Sequence, residues 1–320
     1  MDYDHHVPEA LSIEDNMGRE AILILAGVLA IILLAAIECS PGAAESDASY
    51  WNKVDEAVGI KGTMLAGGVY KTELPPGVPD VKVGDVLLRP AMAADSWVSF
   101  VRMGDEAMMM GDIVVPAGDL GPVQRRFVEE GIDITAIHNT LVGESPQVYD
   151  MHISGRGNAA VMAASVRAAL EQVNVTHEEV MPAPGSSGQL KRLDEAMGYR
   201  GRAENGVYVY EVPRAERITM DGMEIPSTMD VSTTIKFQPL GGGKAAITGD
   251  FILRPDEVKT VMKTLSENGI VVTALHTHML TEEPRLFMMH FWATGDEAAL
   301  AKALRQALDN TNSLRPYNAG

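Results

Sequence analysis

The feature that most constrains this chain is an internal duplication at a fixed offset. Gly131 to Gly157 (GIDITAIHNTLVGESPQVYDMHISGRG) aligns without a gap to Gly269 to Gly295 (GIVVTALHTHMLTEEPRLFMMHFWATG), with ten identities in 27 positions. The same offset of 138 or 139 relates Val54-Asp55-Glu56-Ala57-Val58-Gly59 to Leu193-Asp194-Glu195-Ala196-Met197-Gly198, Gly68-Val69-Tyr70 to Gly206-Val207-Tyr208, and Gly111-Asp112 to Gly249-Asp250. A repeat of this length is a whole domain, so the chain is read as two tandem homologous domains. The first covers residues 47–173 and the second 189–312, joined by a linker at 174–188 that carries Pro182, Pro184 and Gly185 and no apolar period. Residues 1–46 form an N-terminal segment and 313–320 a tail.

Each copy reads alike. A short helix stops at Gly59 or Gly198, suited to the left-handed position after a helix. Strand-like runs follow, in the first copy Gly68 to Leu74, Val86 to Arg89, Trp97 to Met103 and Ala107 to Val115. A helix then opens near Asp119 or Asp256, with Val123, Phe127 and Val128, or Val258, Val261, Met262 and Leu265, at helical spacing, and stops at Gly131 or Gly269. A hairpin of two strands, Ile132 to His138 and Val148 to Ile153 in the first copy, leads to a last helix capped by Asn158 or Asp296. Strands and helices in blocks, joined by hairpins, predict an α+β fold in which each domain is an antiparallel sheet with helices packed on it. Met108 to Met110 and Met288-Met289 lie in apolar runs and read as core.

Composition narrows function. With 26 Lys+Arg against 44 Asp+Glu the net charge is -18, which argues against a surface that tracks nucleic-acid phosphates. A single cysteine excludes an intrachain disulfide and a cysteine-based zinc site, leaving histidines and carboxylates as metal ligands. No nucleophile elbow, Walker A loop or dinucleotide fingerprint occurs. Residues 21–37 (AILILAGVLAIILLAAI) carry no charge and are membrane-grade. Three fates are open: cleavage after Ala44, lipidation at Cys39, or retention as a transmembrane helix. All three place the body outside the cytoplasm, membrane-anchored or secreted, with the membrane a partner through this segment.

Five of eight histidines fall in the two equivalent hairpins. His276 and His278, two apart on a strand, face one side ~6.6 to 7 Å from each other. With a pivot near Glu283, His290 lies opposite His276, about 4.5 to 5.5 Å away. His276, His278 and His290, with Glu282 as a carboxylate ligand, form a set suited to a divalent transition metal, zinc foremost, then copper or iron. Glu282 or Glu283 is the candidate catalytic base for metal-activated water. In the first copy His138, Glu144 and His152 persist but Thr140 replaces the counterpart of His278, which predicts a degenerate or structural site. Paired histidines stabilising a buried turn are the alternative. Asp112 and Asp250 read as turn residues, with a carboxylate contribution to the site as the alternative. The spacing of His276, His278 and Glu282 also resembles the first half of a cupin motif, but Met289 stands where the glycine is expected.

The order Gly-Val-Tyr, Gly-Asp, Gly-Ile-x-x-Thr-Ala-x-His, Glu-x-Pro and a later His resembles the LppY/LpqO family of lipoproteins across both repeats, about residues 47 to 310. Thr140 departs from its pattern, as His138-Asn139-Thr140 against His276-Thr277-His278. The resemblance implies an exported, often lipid-anchored protein and no particular reaction. Two functions stay open. One is an envelope metal-dependent protein, a hydrolase in its enzymatic form. The other is a non-enzymatic module binding a small-molecule, envelope or protein ligand beside a structural histidine cluster.

Overall fold

The structure, a computed structural model, describes residues 46–75, 77–78, 80–93, 95–173 and 187–315, together with Met1. The segment 21–37 and nearly all of the linker lie outside the described residues. Among the described residues no helix is long and apolar enough to cross a membrane.

The first repeat runs α1 (Asp47–Val58), β1 (Thr63–Met64), β2 (Val69–Leu74), β3 (Lys82–Val83), β4 (Val86–Leu87), α2 (Pro90–Ala93), β5 (Ser96–Met103), β6 (Glu106–Pro116), α3 (Leu120–Glu129), β7 (Asp133–His138), β8 (Glu144–Ser145), β9 (Val148–Gly157) and α4 (Ala159–Leu170). The second runs α5 (Ser187–Met197), β10 (Arg202–Glu204), β11 (Val207–Pro213), β12 (Thr219–Met220), β13 (Met223–Glu224), β14 (Ser232–Gly241), β15 (Lys244–Leu253), α6 (Pro255–Glu267), β16 (Val271–His276), β17 (Glu282–Glu283), β18 (Phe287–Asp296) and α7 (Glu297–Leu308). α5 therefore opens at Ser187, two residues inside the stretch read as linker.

Two six-stranded antiparallel sheets result, ordered β1-β2-β5-β6-β9-β7 and β10-β11-β14-β15-β18-β16. The α+β reading holds for both domains. So do its punctuation marks: Gly59, Gly131, Gly198 and Gly269 all sit at positive φ, near +70° to +80°, where a Cβ is strained. The Asn158 side chain accepts from Val161 N and Asp296 from Ala299 N, capping α4 and α7. A shared device ties α1 and α5 to their sheets. Asp55 accepts from Gly62 N and the Tyr70 hydroxyl, while Asp194 accepts from Gly201 N and the Tyr210 hydroxyl.

Because alternate strand residues face opposite sides, each sheet has two apolar faces. The outer face of the second sheet packs Phe251, Met289 and Phe291 on Val261 and Leu265 of α6 and Leu300 and Leu304 of α7. The inner faces of the two sheets meet each other. Val69, Met108 and Met110 of the first repeat share a buried cluster with Ile252 and Met288 of the second, and Val114 and Val148 share another with Val207, Val209 and Ala246. The methionine runs are thus core, on both faces. Polar ties cross the same junction: Gln238 bridges Arg89 N and Leu87 O, and Thr273 donates to Thr140 O. The repeats are one body with a shared interior, four layers deep in the order helices, sheet, sheet, helices.

Candidate metal centre

Near the middle of the inner faces the apolar pattern breaks. Asp112 on β6 pairs with His152 on β9, and the equivalent Asp250 on β15 pairs with His290 on β18. Gly111-Asp112 and Gly249-Asp250 are mid-strand, which corrects the turn assignment. A glycine before a turn and a glycine mid-strand look alike in sequence, and here a Cβ at Gly111 would meet the Trp97 carbonyl 2.9 Å away.

The two histidine hairpins come together from opposite repeats. β7 and β16 end at His138 and His276, whose ring centroids lie 3.8 Å apart, and His152 stacks on His278 at 3.5 Å. The expectation of one site per repeat, with the first degenerate, is therefore corrected: all five histidines belong to one cluster. The expected pivot near Glu283 is corrected too. The turn centres one residue earlier, at position 282, so His290 opposes Ala274 and His276 opposes Met288, and a bulge between Val272 and Ala274 shifts the register again only beyond them. The two rings still meet diagonally, with centroids 5.0 Å apart. His278 lies beyond the strand, so loop conformation rather than strand alternation aims it.

One nitrogen from each of His138, His276, His278 and His290 lies within 4.8 Å of the others, and His152, Asp230 and His278 form a second such group. The hydrogen bonds fit metal ligation. His276 Nδ1–H donates to Thr277 O at 3.2 Å and His278 Nδ1–H to Asp230 Oδ2 at 3.2 Å. Bonds of this kind fix the tautomer and leave the lone pair on Nε2. Nε2 of His276, His278 and His290, and Nδ1 of His138, are buried without a partner. Each such nitrogen left unpaired costs about 1 to 3 kcal/mol, a penalty that a bound cation removes at each nitrogen it engages. His138 and His152 are bonded to each other, Nε2 to Nε2, at 2.9 Å.

Burial, joined by repulsion from neighbouring rings at every position but His138, holds the histidines neutral, the ligating form. His138 and His276 are lowered to about 4, and His152, His278 and His290 fall well below their ordinary value. Burial acts oppositely on the surrounding carboxyls. Asp150 is raised to about 6 and Asp230 to about 7, and Asp112 and Asp250 are raised well above the carboxylate range, with mutual repulsion adding to the last three. Lys236, paired with Asp95 at 2.7 Å, offsets part of this negative charge. A cavity of about 180 Å³ adjoins the cluster, lined by Asp112, Asp150, Asp230, Asp250, His152, His278 and His290, and reaches Lys71, Glu73 and Arg202 at its rim.

The glutamates lie elsewhere. Glu282 is buried, but Oε1 accepts from Leu286 N at 3.0 Å and both oxygens face Arg285, so it staples the loop and is in neither donor group. Glu283 is exposed on β17. Glu144, the counterpart of Glu282, accepts from Asn139 Nδ2 at 3.2 Å. Sequence reasoning missed Asp150 and Asp230. Asp150 stands where the second copy has Met288, and Asp230 sits at φ 58° just before β14, so neither carries a duplicated signal.

Fold and site define a duplicated α+β domain with an interdomain histidine–aspartate cluster able to hold a metal ion. A family model described as a Domain of Unknown Function (DUF1259) matches residues 52–172 and again 191–310, and the chain belongs to that family. No curated protein is matched. Among solved structures, the chain is similar to EtuB from Clostridium kluyveri at 9% identity, over 78% of this chain and 88% of that one, with a TM-score of 0.19. It is similar also to PduB, a trimeric bacterial microcompartment shell protein, at 8% identity over 79% of this chain and 95% of that one, with a TM-score of 0.17. Scores this low carry no argument about fold or function.

Proposed function

We propose that this protein is an extracytoplasmic, envelope-associated metalloprotein whose two repeats together hold a divalent transition metal, and that the site supports metal-assisted hydrolysis of a small polar substrate. One observation carries the reading: one nitrogen from each of four imidazoles, drawn from both repeats, lies within 4.8 Å of the others, and the buried Nε2 atoms of His276, His278 and His290 have no partner. Imidazole donors suit zinc foremost, then copper or iron. A bound metal lowers the pKa of its water to about 7. Asp112 and Asp250, each with a buried unpartnered oxygen beside the cavity, are better placed than Glu282 or Glu283 to take a proton from that water. The envelope location rests on the uncharged segment 21–37 and on the resemblance to the LppY/LpqO lipoproteins.

A second reading is a non-enzymatic binding module. Four histidine donors can close a tetrahedral shell, and closed shells are the structural and transport type. Metal analysis of the full-length protein, wild type beside His278→Ala, tests the shared premise. Bound metal in the wild type, lost in the variant, supports it; a wild type that stays metal-free after incubation with zinc, copper and iron overturns it. A screen of the metal-loaded protein against small esters, amides and phosphoesters then separates the readings.

A further inference from the structure

His278 belongs to both donor groups, and its two ring nitrogens have different surroundings. Nδ1 lies 3.2 Å from Asp230 Oδ2, and the same carboxylate oxygen is 3.8 Å from His152 Nδ1. Nε2 is buried with no partner and is left for the side occupied by His138, His276 and His290. His152 and His278 are both buried, each about 5% exposed. We propose that the centre is built for two divalent cations, with the His278 ring between them: one on the four-histidine side and one on the His152–Asp230 side. The inference rests on the metal reading above and goes beyond it in number and arrangement.

Charge supports the second position. Five aspartates line the adjoining cavity, Asp95, Asp112, Asp150, Asp230 and Asp250, against three cations, Lys71, Arg202 and Lys236, and Lys236 is already committed to Asp95. The carboxyl oxygens of these aspartates are hard donors within reach of a second cation beside the histidine set. Asp230, which accepts from His278 Nδ1–H in the metal-free site, becomes a ligand of the second cation when that cation takes the nitrogen. Occupying both nitrogens of His278 requires its ring to lose the remaining N–H proton, which leaves to solvent as the second metal enters.

The test is copper or zinc titration of the full-length protein, with bound metal counted by elemental analysis and the copper form examined by electron paramagnetic resonance. The expected result is two equivalents in the wild type and one in Asp230→Asn. With two Cu(II) joined through one imidazolate, the spin signal should account for less than half of the bound copper. One equivalent in the wild type, unchanged in number by Asp230→Asn, overturns the second site and leaves the single-metal reading standing. No bound metal overturns both. Two equivalents with a spin count equal to the copper present overturns the bridge, and this arm needs no variant to fold.

Discussion

The two halves of the histidine cluster descend from one duplicated hairpin, yet they are not interchangeable. His138 and His152 in the first repeat correspond to His276 and His290 in the second. Where the first has Thr140 and Asp150, with the threonine hydroxyl donating to the carboxylate at 2.6 Å, the second has His278 and Met288. One repeat keeps a short internal hydrogen bond and a carboxyl; the other supplies the extra imidazole and an apolar neighbour. The difference shows how a symmetric scaffold acquires an asymmetric site. Two exchanged side chains turn a pair of equal hairpins into a donor set with one ring, His278, at its centre. Asp230, which holds that ring, has no acidic counterpart in the first repeat.

The sharpest way to break this comparison is to make the second hairpin like the first. His278→Thr removes the ring common to both donor groups, and metal affinity should fall by about 100-fold or more, since even outer partners of a ligand are worth ~10- to 100-fold. Isothermal titration with zinc checks this, and Thr140→Ala, which leaves all five rings, should change affinity by less than ~3-fold.

Next in size is a feature of the second repeat. Arg214 is buried and bonded to both oxygens of Glu257 and to Glu216. Arg214→Met strands a buried carboxylate and should cost about 3 to 5 kcal/mol by urea unfolding. The pH dependence sharpens the result. Burial alone would raise the Glu216 carboxyl, but hydrogen bonds from Arg214 outweigh it and hold it at about 2, below its ordinary 4.5. A carboxyl lowered by folding stabilises fully above its unfolded pKa. That contribution is lost as pH falls from about 4.5 towards 2, so the urea midpoint should drop more steeply between pH 5 and 3 in the wild type than in Arg214→Met.

The paired glycines offer a subtler contrast. A Cβ at Gly249, which has φ 144°, would collide with the Thr234 carbonyl, whereas Gly111 has a looser approach to Trp97 O. Gly249→Ala should destabilise by about 3 kcal/mol and clearly more than Gly111→Ala, by thermal or urea unfolding. Smallest, and equal in the two repeats, is the loss of a helix cap: Asn158→Ala and Asp296→Ala should each cost about 1 kcal/mol.

Much of the architecture was legible because it depends on local chemistry. Glycines at helix ends, the caps at Asn158 and Asp296, and the 3.6-residue spacing of Val123 and Phe127 act within a few residues and were read correctly, whereas Val128, read on the same face, is exposed. The histidines were recognised as a set for the same reason: five of one rare type recur at equivalent places. Their grouping was not legible. Counting along a hairpin presumes where its turn lies, and a centre at position 282 in place of 283 sets His290 opposite Ala274, two residues from its expected partner. Glu282 was legible as a residue near histidines but not as one already engaged by Arg285 and Leu286 N.

The sequence by itself determined the duplication, the fold of each unit, the acidic character and the inventory of donors, because these follow from periodicity, turn chemistry and charge. Only the tertiary structure decided that the two inner sheet faces pack on each other. That contact converts two hairpins into one cluster and brings Asp112, Asp150, Asp230 and Asp250 around it. The physical reason is that each sheet has a second apolar face that must also leave water. Which surface it finds is set by residues more than a hundred positions away, and no pattern within either repeat encodes that distance.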